Sequence, residues 1–170
     1  SPRKVLIVVR GFVPYEPSLG GVVRVIKLAT YLVRHGFEVF IVAAKGEYIN
    51  NFGYARDIAQ LKVTYFIDKT QEQYSRKYAS KPTAAAKPRR YQRWINGFEQ
   101  VAEKVLIPDP GILFVIPQYL CAKRIIETER IRHVIVSSPA HSSQIAGWLL
   151  KHHFGKRINL IADYRDSWNC

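Results

Sequence analysis

Val5-Leu6-Ile7-Val8-Val9 is an unbroken apolar run rich in β-branched residues, bounded by Arg3-Lys4 and Arg10-Gly11. Such a run reads as a strand buried on both faces of a parallel sheet. A loop with Pro14 and Pro17 follows and leads to Gly20-Gly21. From there Val22, Val25, Ile26, Ala29, Leu32 and Val33 recur at helical spacing, and Gly36 stands where a helix commonly ends in a left-handed residue. Phe37 to Ala44 is a second apolar run. Strand, glycine-containing loop, helix and strand make a βαβ unit, which is right-handed in nearly all known cases.

The same alternation continues outward. Val63 to Ile67 reads as a third strand, Pro117 to about Arg130 as a helix carrying Leu120, Cys121, Ile125 and Ile126, and Val134-Ile135-Val136 as a fourth strand. Ser142 or Ser143 is placed to cap a helix with Ile145, Ala146, Leu149 and Leu150 on one side, stopping near Gly155. Ile158 to Ala162 is the last strand. The expected fold is α/β, a doubly wound, mainly parallel, Rossmann-like sheet whose working edge lies at the strand C-termini.

Asp68 to Arg93 interrupts the pattern. It carries eight cations (Lys69, Arg76, Lys77, Lys81, Lys87, Arg89, Arg90 and Arg93) against Asp68 and Glu72, and reads as a mobile basic insertion at 68–93. Helical spacing returns from Arg89 to Ile107, with Trp94, Phe98, Val101 and Val105 on one face. Cations interleaved with Tyr74, Tyr78, Tyr91, Trp94 and Phe98 suit an anionic lipid interface; a solvated loop before a core-packed helix explains them as well.

Composition bounds the function. The chain has 170 residues, with 26 Lys and Arg against 13 Asp and Glu, a formal charge of +13. That balance favours an anionic partner: nucleic acid, phospholipid surface or phosphorylated substrate. The apolar runs, including Ile112 to Ile116, are strand-sized and too short to span a bilayer. With Cys121 and Cys170 as the only cysteines, no disulfide framework is expected, and the default compartment is a reducing cytoplasm. The chain contains no methionine and closes on Ser167-Trp168-Asn169-Cys170, and is read as a fragment.

Three loops should converge at the working edge: residues 10–21, 137–143 and 163–168. Gly20-Gly21 at a helix start leaves backbone N–H groups open to a phosphate, and equally shapes a turn and permits close packing. The loop is not G-x-G-x-x-G and the second strand ends in Ala43-Ala44-Lys45, which argues against a dinucleotide cofactor. A P-loop and a G-x-S-x-G elbow are absent from the sequence. A Ser137, His141, Asp163 triad would need a particular geometry, and separate structural roles are the simpler expectation. His152 and His153 are adjacent, so they leave a helix on different faces, and no metal is expected. Asp163, Arg165 and Asp166 form a charge cluster that must be paired or aimed at something polar.

Several of these segments together resemble the N-terminal domain of the family 4 glycosyltransferases of the GT-B fold. They are the Lys4 to Val8 strand, the Pro14 loop with Gly20-Gly21, the helix ending in Arg34-His35-Gly36, Ile107-Pro108-Asp109-Pro110, Val136-Ser137-Ser138-Pro139, and Ala162-Asp163-Tyr164-Arg165-Asp166-Ser167-Trp168. The resemblance covers nearly the whole chain. It implies the acceptor-binding lobe of a retaining enzyme that moves a sugar from a nucleotide-sugar donor to a sugar or lipid-linked acceptor, with no cofactor and no required metal. Gly20 and Gly21 would approach the donor phosphates, and Ser137, Ser138, His141, Asp163, Arg165 and Asp166 would face the acceptor. Some relatives carry a functional histidine where this chain has Ser137.

The family's catalytic glutamates and donor site belong to a C-terminal lobe outside these residues, so the 170-residue chain alone is expected to be inactive. Arg76, Lys77, Lys81, Lys87, Arg89, Arg90, Arg93, Trp94 and Phe98 would touch the inner face of the cell membrane in a peripheral enzyme. The alternative is a basic nucleic-acid-binding module without activity; no nucleic-acid motif supports it.

Overall fold

A computed structural model describes residues 3–16, 20–49, 53–68 and 110–164. Most of the expected basic insertion, the Arg89 to Ile107 helix, Arg165 and Asp166 lie outside the described residues, as do all nine positions expected to contact a membrane.

The central sheet has five parallel strands: β1 (Arg3–Val8), β2 (Phe37–Lys45), β3 (Lys62–Ile67), β4 (His133–Ser137) and β5 (Asn159–Asp163). Their spatial order is β3-β2-β1-β4-β5, so the chain reverses direction across the sheet between β1 and β4. Pairing is in a single register along each neighbour: Val5 stands beside Val39 and His133, Val8 beside Val42 and Val136, and Ser137 beside Asp163. This is the doubly wound arrangement that the strand and helix alternation predicts.

Side-chain alternation explains why the strand sequences are continuously apolar. Leu6, Val8, Phe40, Val42, Val134 and Val136 point into one core, while Val5, Ile7, Val9, Val39, Ile41 and Ala43 point into the other. Each fully buried Val, Leu or Ile contributes roughly 1.5–3 kcal/mol relative to exposure, which leaves no position from Val5 to Val8 or from Val39 to Ala44 where a polar residue would fit cheaply.

Helix α1 (Gly20–Arg34) covers the second core with Val22, Val25, Ile26 and Ala29. It ends as its sequence suggests, with Gly36 at φ +79°. A short helix, α2 (Ala55–Ile58), was not evident from periodicity because it is a single turn. Helices α3 (Val115–Glu129) and α4 (Ser142–Phe154) cover the first core. A 3-10 turn over Pro110–Phe114 precedes α3, so the apolar run Ile112 to Ile116 is no strand; Pro117 falls in the first helical turn, where its missing N–H is harmless.

Two details differ from the sequence reading. The buried row of α3 is Val115, Gln118, Ala122 and Ile126, whereas Leu120, one of the apolar residues that suggested the helix, is 54% exposed. Secondly, α4 is capped at His141 without a side-chain hydrogen bond; Ser142 and Ser143 lie inside its first turn and are buried. The Gln144 N–H donates to the His141 carbonyl, which starts the helix before either serine. Among the described residues, no helix is long and apolar enough to cross a membrane.

Candidate functional site

Eight polar or charged residues are buried among the described residues, and six of them sit at one place. Gln118, Ser137, Ser138, Ser142, Ser143 and Gln144 occupy the start of α3, the end of β4, and the loop and first turn leading into α4. A buried polar group needs a hydrogen-bond partner, and leaving one unpaired costs about 1–3 kcal/mol. The amide of Gln118 donates to the Val9 carbonyl at 3.1 Å and to Ser143 Oγ at 3.2 Å. Gln144 donates to the Val136 carbonyl at 3.0 Å and to the Asp163 carbonyl at 3.5 Å. These side chains stitch β1, β4 and β5 to the two helices where the chain crosses over.

Asp163 is the centre of this edge. Its main-chain carbonyl accepts from the Ser138 N–H at 3.0 Å and from Ser138 Oγ at 3.3 Å. Ser137 Oγ donates to Asp163 Oδ2 at 2.7 Å, and Arg24 Nη2, from the second turn of α1, donates to Oδ1 at 2.5 Å. Burial pushes the carboxyl pKa up, but the hydrogen bonds from Arg24 and Ser137 and the Arg24 charge together outweigh it and hold the group below its ordinary value. The carboxylate is therefore an ionised acceptor with 19% of its side chain still reaching solvent.

The sequence-predicted residues divide accordingly. Ser137, Ser138 and Asp163 are brought into direct contact. His141 lies in the same β4–α4 loop, half-buried, at the α4 N-cap. The Ser137 hydroxyl is committed directly to the carboxylate, which is not the order of a serine–histidine–aspartate relay. Gly20 opens α1 and has nothing within 4 Å of where a Cβ would stand, so its backbone is uncovered on that side.

Arg24, Gln118 and Gln144 were missed. The signal available for Gln118 was its position, between Ile116-Pro117 and Tyr119-Leu120 in an otherwise apolar stretch; Gln144, which follows Ser142-Ser143, gave none. Arg24 gave none, because it follows Val22-Val23 on what reads as the solvent side of α1.

The loop after β1 is braced separately. Tyr65 Oη donates to the Val13 carbonyl at 2.5 Å and stacks edge-on against Tyr15 with ring centroids 4.9 Å apart. Burial, followed by Tyr15, pushes the Tyr65 phenol up to about 12. Arg10 Nε donates to Asp68 Oδ2 at 3.0 Å, and the Asp68 side chain is fully buried. This pair ties the ends of β1 and β3 across β2.

The described surface also has an open groove of about 780 Å³ between β3 and α3, with Val63, Phe66, Ile67, Leu120, Arg124 and Ile125 on its walls. It lies on the β3 side of the sheet, the other side from β5, and includes none of Ser137, Ser138 or Asp163. We place the candidate site at Asp163, where the polar side chains converge, because volume without directed donors and acceptors gives a ligand no orientation. Cys121 at the groove is half-buried, and burial pushes its thiol up, against Arg124, so it is a poor nucleophile. Among the described residues no group of His, Cys, Asp and Glu could hold a metal ion.

The fold and this edge define a doubly wound α/β domain with a polar, preorganised cluster at the C-terminal ends of β4 and β5. Comparison with known protein families and with curated proteins finds no match for the chain.

Proposed function

We propose that the chain is the acceptor-binding lobe of a retaining glycosyltransferase, taking a sugar from a nucleotide-sugar donor held mainly by a second lobe. The observation that carries this reading is the Ser137–Asp163–Arg24 cluster, backed by Ser138 and Gln144, at the strand C-termini beside the crossover. Ligands of open parallel sheets bind outside those strand ends. An ionised carboxylate with solvent contact, fixed by a serine and an arginine, is suited to accept hydrogen bonds from sugar hydroxyls. Gly20 and Gly21 open α1 at the same edge, where uncovered N–H groups favour a donor phosphate. His141 contributes from the β4–α4 loop, and Arg165 and Asp166 follow two and three positions after Asp163 in sequence.

In this reading the domain supplies acceptor binding and part of the diphosphate stabilisation, while the second lobe completes the electrostatics of the departing nucleotide. The parent protein works at the cytoplasmic face of a membrane. The +13 charge supports that location, as do the exposed Leu113, Ile116 and Leu120, which recur at helical spacing from the 3-10 turn into α3.

The test is transfer by the parent protein from radiolabelled nucleotide sugars to lipid and saccharide acceptors, with the anomeric configuration of the product read by NMR. Retained configuration, and a loss of at least about 100-fold in kcat/KM for Asp163→Ala in a protein that still melts cooperatively, are expected; about 2.7 kcal/mol of transition-state stabilisation corresponds to that factor. Tight, salt-dependent binding of the chain to oligonucleotides without any transfer would replace the proposal with a nucleic-acid module.

A further inference from the structure

The guanidinium of Arg24 is held at one corner only. One Nη2 hydrogen bond goes to Asp163 Oδ1, the side chain is 46% exposed, and its other N–H groups have no partner among the described residues. A guanidinium offers five N–H donors in a planar fork, so four remain without a partner among the described residues. The carboxylate it grips is similarly half-used: Oδ1 accepts from Arg24 and Oδ2 from Ser137, while each oxygen can accept a second bond. The main chain at Asp163 is fixed by Ser138 and Gln144, so the pair is set before any ligand arrives.

We propose that Arg24 and Asp163 together form a two-sided subsite for a ligand carrying a hydroxyl group beside an oxyanion. The hydroxyl donates to Asp163, and the oxyanion accepts from the free edge of Arg24. This rests on the reading of the Asp163 edge as the acceptor site and narrows that acceptor to an acidic or phosphorylated sugar. A neutral hydroxyl compound would use the carboxylate and leave the guanidinium fork idle. The net charge of +13 supplies the long-range attraction that such an anion needs, offsetting the local negative charge of Asp163. Arg is suited to the role where Lys is not, because a planar fork can meet two oxygens of a carboxylate or phosphate at once while one of its corners stays on Asp163.

The experiment is an NMR titration of the isotopically labelled 170-residue chain at fixed ionic strength, following the amides of Ser137, Ser138 and Asp163. The probes are glucose, glucuronate, glucose 6-phosphate and inorganic phosphate. At least one charged sugar is expected to bind about tenfold or more tightly than glucose, and the stronger of the two identifies carboxylate or phosphate. In Arg24→Ala that advantage should fall to within about twofold, and Arg24→Lys should recover only part of it. Arg24→Gln, which keeps a polar donor without the charge, serves if the alanine variant melts early.

Equal binding of glucose and the charged sugars by the parent overturns the proposal. So does an advantage that survives in Arg24→Ala, binding of inorganic phosphate as tight as that of glucose 6-phosphate, or absence of binding by every probe. The transferase reading fails separately: an Arg24-dependent preference in a parent protein without transfer activity retains the subsite and removes the enzyme, and transfer without the preference does the reverse.

Discussion

Ion pairs stand at both ends of the sheet, and the two ends are built differently. At the N-terminal end of the strands, Lys4 reaches Glu129 at 2.6 Å and Glu38 at 3.8 Å, and Lys62 pairs with Glu38. All four side chains keep between 24% and 58% of their surface in water. At the C-terminal end, Asp68 is fully buried against Arg10, and Asp163 is locked by Arg24, Ser137 and the serine and glutamine contacts behind it. The same charge chemistry thus makes a screened surface network at one end and a fixed polar constellation at the other. Burial sets Asp68 apart and the number of protein partners sets Asp163 apart: water competes for the surface network, while the loss of a partner at the C-terminal end would leave protein donors without their acceptor.

Removing one side of the buried pair should break this contrast most clearly. Asp68→Ala leaves Arg10 without its carboxylate at the end of β1, and a loss of about 3 kcal/mol is expected, or roughly 6–12 °C in Tm for a chain of this size. A calorimetric Tm within 2 °C of the parent would place this pair with the screened network. The next effect comes from the helix behind the site. A Cβ at Gly147 would stand 2.9 Å from Val136 Cγ2, so Gly147→Ala must push α4 off β4 and should cost about 1–3 kcal/mol. Combining it with Val136→Ala, which removes the obstructing methyl groups, should restore part of that loss; two strictly additive penalties in urea denaturation would contradict the contact.

Asp163→Asn is expected to cost about 1–2 kcal/mol at neutral pH, because Ser137 and Arg24 lose their charged acceptor. The pH dependence follows from the sign of its shift. The folded carboxyl titrates below its ordinary value of 3.8, so its stabilisation is complete above that pH and is lost as pH falls through the lower folded value. Parent and variant should therefore differ in Tm at pH 7 and converge as pH falls through the lower folded value. A constant difference across that range would remove the ionised carboxylate from the account. The smallest effect belongs to Glu38→Gln, where the carboxyl is held low by the hydrogen bond from Lys62 but lies at the surface. No resolvable change in Tm is expected in 0.5 M salt, where surface pairs are screened over a few ångströms; a clear drop there would mean that the two ends of the sheet are more alike than their burial implies.

The sequence showed much of this. The runs Val5 to Val9 and Phe37 to Ala44 could only be strands buried on both sides, Gly36 and Gly155 both take positive φ at the ends of α1 and α4, and Ser137, Ser138 and Asp163 were legible as strand-end polar residues. What escaped were side chains whose role depends on a partner far away in the chain. Arg24 and Asp163 are separated by 139 positions, and Gln118 and Val9 by 109. Local spacing carries no trace of such pairs. Leu120 shows the converse limit: it is apolar and helped to mark the helix, yet the helix phase, set by Val115, Gln118, Ala122 and Ile126, turns it outward.

By itself, then, the order of residues determined the elements and the doubly wound class, because periodicity and β-branched runs are local properties that act through backbone conformation and one-sided burial. Only the tertiary structure decided which strand ends share a site. Parallel pairing at Ser137–Asp163 puts two distant loops side by side, and the reach of one long side chain from α1 across β4 closes the cluster. Both depend on distances in space that the chain acquires only when its two cores form.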